Sequence, residues 1–400
     1  MSNILLTSGR GAFALALARC LHSAGHRVFM ADSWQRIMTR HSSAVVQDFL
    51  VPRPAQETAD WLAAIAKIVD DCEIDLIVPV YEEIFHLLHG ASELPSTARI
   101  FASDFDTLMT VHSKWLFNQK ALQLGLRVPD TRLITSREEL LAIFSSENGK
   151  DLVYKPAYSR FAAFTVVRPQ SEADLENADP TQDKPWVAQE FLPGRPIATF
   201  GVAQQGRILA HTAYAAEFSI GTGPTVAYRP LEHPAAFDWV SEFVERLDFT
   251  GQIGVDFMEE TGGEVSAIEC NPRLTGGMFL LKDNLQLAAA YSDPSFEQLV
   301  TPTGRTYVFR LAAFFTALRH TEHFPGFRDW LRVMLFGRST VEFRWNDPAP
   351  ALLEPWLNIE FIRRCIKEGK RGEELSTLDT EWSREPARKS VAPALAQTAD

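Results

Sequence analysis

The segment Gly254-Val255-Asp256-Phe257-Met258, with its continuation Glu259-Glu260-Thr261-Gly262-Gly263-Glu264 and then Ile268-Glu269-Cys270-Asn271-Pro272-Arg273, decides how this chain is read. Two alternating runs flank a Gly-Gly pair, the pattern of a tight β-hairpin. A hairpin folded about that pair sets position 256 opposite position 269. Side chains alternate along a strand, so Asp256, Glu269 and Asn271 share one face while Val255, Phe257, Ile268 and Cys270 point into a core. Two carboxylates and an amide oxygen on one surface repel unless a cation sits among them. Such hard oxygen donors suit Mg2+, which completes its shell with water and phosphate oxygens. Arg273 adds a rigid fork of donors for a phosphoryl group or an oxyanion.

The ordered set Asp…Glu-x-Asn-Pro-Arg resembles that of the ATP-grasp superfamily, in the branch that holds biotin carboxylase, carbamoyl phosphate synthetase and the carboxylate–amine ligases. The resemblance implies an α/β chain: a Rossmann-like N-terminal domain at 1–105, then a two-lobed ATP-grasp domain at 106–300 with its small lobe at 130–195. A C-terminal extension at 301–370 and a disordered tail at 371–400 follow. It also implies that Asp256, Glu269 and Asn271 hold Mg2+ with ATP and that Arg273 steadies the phosphorylated intermediate.

Outward from the hairpin, other positions fit the same resemblance. Lys114 precedes an aromatic residue and the turn Gly125-Leu-Arg-Val-Pro129, the place of a phosphate-binding lysine. Lys155 closes the apolar run Leu152-Val-Tyr-Lys-Pro156, where a buried ammonium requires an anionic partner. Ser159 and Arg160 lie in the segment that covers the phosphates in relatives, although Ala157–Ala163 departs from the pattern by having no glycine. Glu190, Phe191 and Leu192 end an apolar strand at the hinge whose backbone meets adenine. Relatives place a ribose-binding acid a little further on, and here that region reads Arg195-Pro-Ile-Ala-Thr199.

The chain opens with a βαβ pattern: Ile4–Thr7, a glycine turn at Ser8–Ala14, and Arg27–Asp32. Gly9-x-Gly11-x-x-Ala14 with Asp32 also matches a dinucleotide-binding fingerprint, in which the acid contacts a ribose. Beyond a helix at 58–72 and a strand at 74–80, Glu83 follows a strand C-terminus, where ligands of open α/β sheets bind. Glu83, Arg10 and Arg229 are therefore candidates for substrate contact. Residues 215–230 read as a loop with Gly221 and Gly223.

The 400 residues carry a net charge of −12, which disfavours nucleic acid and anionic membranes as partners. Four cysteines without metal or redox spacing read as reduced residues of a cytoplasmic protein. Phe13–Cys20 has the look of a signal-peptide end, but no basic region precedes it, and no apolar run reaches a membrane span. The expected activity is ATP-dependent ligation of a small, amino-acid-like carboxylate to an amine through an acylphosphate. The C-terminal extension is expected to complete the acceptor pocket or a homodimer interface. Carboxyphosphate chemistry, a nucleotide-binding regulator and a dinucleotide-dependent oxidoreductase stand beside it as alternatives.

Overall fold

The computed structural model describes residues 1–159, 164–219, 225–310, 313 and 327–382. Its first sheet is parallel, with strands β1 (Asn3–Thr7), β2 (Arg27–Asp32), β3 (Gln47–Leu50), β4 (Leu76–Pro79) and β5 (Arg99–Ile100) in the order β3-β2-β1-β4-β5. Ile4, Leu5, Leu6, Ile77 and Val78 are fully buried, as expected of strands covered by helices on both faces. The Ala/Leu-rich helix Ala12–Ser23 packs closely because its small residues let it approach.

The glycine turn between β1 and that helix is glycine for packing reasons. A Cβ on Gly9 would lie 2.4 Å from the Met30 sulfur, and one on Gly11 would lie 2.1 Å from the Tyr81 hydroxyl. Arg10 between them is buried against Asp32 at 2.9 Å, with Asp379 as a second partner. Asp32 is thus consumed by an internal ion pair, which removes the acid that a dinucleotide fingerprint needs for a ribose.

A second sheet is antiparallel, with β6 (Thr131–Ile134), β7 (Leu152–Pro156), β8 (Val166–Val167) and β9 (Trp186–Glu190) in the order β6-β9-β7-β8. The third and largest runs β14-β13-β10-β11-β12-β15-β16. Its strands are β10 (Arg195–Gln204), β11 (Arg207–Ser219), β12 (Thr225–Leu231), β13 (Gly251–Glu259), β14 (Val265–Asn271), β15 (Tyr307–Val308) and β16 (Arg338–Ser339). Of the expected loop at 215–230, residues 220–224 lie outside the described residues, while 215–219 instead continue β11 and 225–230 belong to the antiparallel strand β12, paired through Ala215↔Arg229. Tyr214 and Tyr228 supply the aromatic, β-compatible residues behind that pairing, their rings 5.4 Å apart edge to face.

Among its described residues, the C-terminal extension forms no separate layer. Strands β15 and β16 extend the large sheet, while the helix Ala349–Glu368 lies on the N-terminal domain. Buried Arg19 bonds the Asp347 carboxylate at 2.7 Å and the carbonyls of Glu342 and Asp347. The expected disordered tail begins with order: Gly372–Thr377 is helical, Asp379 pairs with Arg10, and Trp382 is buried. Trp382 sits among Phe85, His86 and Phe105 of the N-terminal domain, so long-range aromatic packing outweighs the polar local composition.

Candidate active site

The hairpin sets Asp256 opposite Glu269, but not by the simple fold-back that its sequence suggests. From the tip, Glu259↔Val265, Met258↔Ser266 and Phe257↔Ala267 pair directly, and a register shift then brings Asp256 against Glu269. Ile268 is the extra residue. It leaves the core, where Ala267 takes the place expected for it beside Phe257, Val255 and Cys270. The bulge has a local consequence, because the Ile268 carbonyl accepts from Lys155 Nζ at 3.3 Å.

Two further elements converge on this hairpin. Lys155 comes from β7 and is buried. Lys114 is the first residue of the helix Lys114–Gln123, whose N-cap is Ser113. A cation at a helix N-terminus opposes the helix dipole, so its position calls for an anion nearby. Lys114 Nζ lies 3.4 Å from Glu269 Oε2 and donates to the Ser159 carbonyl at 3.0 Å and hydroxyl at 3.2 Å.

The titration of these groups is set by their crowding. Burial pushes Glu269 up, but Lys114 and Lys155 outweigh it and hold the carboxyl below its ordinary value. Asp256 goes the other way, raised by burial and by Glu269 beside it. Burial lowers Lys155 from its ordinary 10.5 to about 8, a fall that Glu269 only partly offsets and that Lys114 deepens. Both carboxylates are half-buried.

Asn271 donates from Nδ2 to Asp256 Oδ2 at 3.4 Å, and Arg273 donates from an Nη to Asn271 Oδ1 at 2.9 Å. The other flank of Arg273 faces Glu82, Nε to Oε1 at 3.6 Å. Glu82 is itself buried, and its second oxygen accepts from the Trp382 backbone N–H at 3.2 Å. Arg273 is therefore positioned by a chain that runs from the hairpin to the C-terminal segment.

The substrate candidates from sequence fare differently. Glu83 points inward: it is fully buried and accepts from Thr7 Oγ1 at 2.6 Å and the Val80 and Tyr81 N–H groups. It closes the strand-to-helix turn, and its neighbour Glu82 is the carboxylate that reaches the site. Arg10 is corrected likewise, its donors being committed to Asp32, Ser33 and Asp379. Arg229 lies on β12, three places from β13 in the sheet. Glu190 is exposed at the end of β9, where its carboxylate accepts from the Asp130 N–H at 3.2 Å. Phe191, stacked by Arg168 at 5.3 Å, and Leu192 bridge β9 to β10. Arg160 lies outside the described residues.

The donor set fits a hard divalent cation. Two adjoining carboxylates, one pushed up by the other, are groups that such an ion would satisfy together; the Asn271 amide beside them turns its nitrogen to Asp256 and its oxygen to Arg273, and would ligate the ion through that oxygen after an amide flip. Lys114 and Lys155 gather two positive charges beside them and use carbonyl oxygens as partners, an arrangement that suits phosphate oxygens.

A family model described as an ATP-grasp domain matches residues 111–277. Solved structures share the fold. An L-amino acid ligase from Bacillus licheniformis superposes with a TM-score of 0.57 at 16% identity, over 76% of this chain and 78% of that one. An N5-carboxyaminoimidazole synthetase from Staphylococcus aureus gives 0.58 at 13% identity, over 75% and 80%. A biotin carboxylase from Campylobacter jejuni, in a β,γ-ATP complex, gives 0.57 at 14% identity, over 74% and 72%. No curated protein matches the sequence. Among the described residues no helix is long and apolar enough to cross a membrane.

Proposed function

We propose that this chain, which carries an ATP-grasp domain at residues 111–277, is an ATP-dependent ligase that activates a small, amino-acid-like carboxylate and joins it to an amine. The observation that carries the reading is the meeting of Lys114, Lys155, Asp256, Glu269, Asn271 and Arg273 on one hairpin face. A substrate carboxylate oxygen attacks the γ-phosphorus of ATP, the bond to the β,γ-bridging oxygen breaks, and ADP leaves an acylphosphate. An amine nitrogen then adds to the acyl carbon, loses a proton, and expels phosphate to leave an amide.

Catalysis of this kind is positioning and charge neutralisation. Lys155 and Lys114 bind phosphate oxygens, which complete the counter-charge that Glu269 only partly supplies to the buried Lys155. Asp256, Glu269 and Asn271 are the residues that would hold Mg2+, which when bound spreads the negative charge of the phosphates. Arg273 faces the transferred phosphoryl group and the oxyanion that forms when the amine adds. The backbone of Glu190, Phe191 and Leu192 receives the adenine edge at the junction of the two sheets, and Ser159 keeps Lys114 in place.

The reading is tested by measuring ADP release with MgATP against a panel of carboxylic and amino acids. Release that depends on one acid supports it; ATP hydrolysis unaffected by any acid, or no binding of ATP, counts against it. Two variants divide the roles. Arg273→Ala is expected to lower kcat by roughly 100-fold while ATP affinity stays within a few-fold, the mark of a contact made in the transition state. Glu82→Gln is expected to lower kcat by roughly tenfold, again without weakening ATP binding, because it unseats Arg273 and touches no nucleotide group. Equal losses in ATP affinity would place both residues at the nucleotide.

A further inference from the structure

The helix Ala349–Glu368 meets the N-terminal domain through Phe361, 6.1 Å from Trp34, and through Arg364, whose guanidinium lies 4.2 Å above the same indole. Its outer side carries Leu352, Trp356, Ile359, Ile362 and Ile366, all exposed. At 1.5 Å per residue this stripe runs about 21 Å. A helix resting on a globular domain ordinarily turns polar residues to solvent here. Exposed apolar side chains continue before the helix, where Phe336 is 81% exposed and Trp345 91%. Side chains so exposed stand out from the surface. A groove shaped for a partner helix recesses its apolar contacts, whereas a lipid surface closes around projecting ones.

The charges among these side chains are unlike those of the chain as a whole, whose net charge is −12. Arg363 follows Ile359 by four residues and Lys367 follows Arg363 by four, so both exposed cations border the stripe. Arg36 joins them, its guanidinium 5.3 Å from the Trp356 ring. Glu360 is the acid on this border, and Arg36 and Arg363 both pair with it. Glu368 pairs instead with Arg364, on the side that meets Trp34. In the preceding helix, Phe327–Phe336, exposed Arg328 and Arg332 alternate with exposed Leu331 and Leu335.

A hollow of about 760 Å3 lies between the two helices, walled by Arg310, Arg338, Arg344, Phe336, Phe343 and Ala351. Arg338 pairs with Glu342, while Arg310 and Arg344 have no carboxylate within ion-pair reach among the described residues. A basic hollow beside an apolar stripe suits the phosphate of a lipid head group. Apolar side chains ringed by Lys and Arg are the pattern of a helix that lies in a bilayer interface. The negative charge of the rest of the chain is screened beyond ~8 Å at physiological salt, so the local cations govern the contact.

We propose that this face binds an anionic phospholipid surface, with the stripe from Leu352 to Ile366 entering the acyl boundary and the arginines of the hollow meeting head-group phosphates. The inference is independent of the chemistry at the hairpin. Co-sedimentation of the full chain with vesicles tests it, using phosphatidylcholine alone and phosphatidylcholine mixed with phosphatidylglycerol. At roughly fivefold for each cation at the surface, Arg363 and Lys367 alone should give the mixed vesicles a ~25-fold advantage that raised salt removes. Arg363→Ala with Lys367→Ala should erase most of that advantage. Ile359→Glu should lower binding to the mixed vesicles at least ~10-fold with circular dichroism unchanged, since it sets a charge in the inserted stripe. A wild type that binds neither vesicle assigns the face to an acidic protein and overturns the proposal. Equal binding to both vesicles, or binding indifferent to Ile359→Glu, overturns it as well.

Discussion

Glu269→Gln is expected to lower acid-dependent ADP release by roughly 100- to 1,000-fold, the cost of losing one preorganised charge at a reacting centre. The amide keeps the shape of the side chain, so the hairpin pairing with Asp256 survives. Stability should change little, because two effects oppose each other. Asp256 loses the neighbour that raises its carboxyl, while Lys155 loses the anion that favours its charge and Lys114 loses its partner at 3.4 Å. Circular dichroism and thermal unfolding beside the ADP assay separate this from misfolding. Near-normal turnover in a folded variant would take Glu269 out of the reaction.

The second large effect runs in two directions. Lys155→Met is expected to abolish measurable ATP binding and yet to stabilise the protein without ligand. In the folded state Lys155 titrates at about 8 against an ordinary 10.5. Between those values the unfolded chain holds more protons than the folded one, so stability rises with pH through that window. Below it, the buried cation costs about 3 kcal/mol, which a buried methionine does not incur. Thermal unfolding at neutral pH should therefore shift upward in the variant, and the difference from wild type should shrink as pH rises from 8 toward 10.5. Calorimetric titration with MgATP should show binding lost at the same time. A variant that is less stable but still binds ATP would reverse both assignments. Strain of this sort, relieved only by ligand, is the usual trade of stability for function.

The sequence made the architecture legible where the information is local. Alternation around Gly262-Gly263 gave the hairpin and the facing of Asp256 with Glu269, because one face had to be apolar. The apolar run ending in Lys155 marked a buried ammonium for the same reason. What escaped depended on contacts far along the chain. The bulge at Ile268, which aims a carbonyl at Lys155, leaves no mark in the alternation itself. Glu82 and Glu83 are equivalent in composition, and only the geometry of the turn after β4 decides which faces Arg273.

Arg10 seemed available until a carboxylate from position 379 closed on it. Trp382 lies in a stretch whose neighbours read as disordered, yet a single indole among Phe85, His86 and Phe105 holds that stretch and reaches Glu82. The strand Thr225–Leu231 was hidden by glycines at 221 and 223, which suggested a loop where β11 and β12 pair.

Hydroxylamine trapping tests the central claim most directly. The chain is incubated with MgATP, hydroxylamine and each acid of a panel, and hydroxamate and ADP are measured together. An acylphosphate intermediate predicts hydroxamate with one class of acid, formed in proportion to ADP and absent in Glu269→Gln. ADP formed without hydroxamate from any acid, or failure to bind ATP at all, would contradict it.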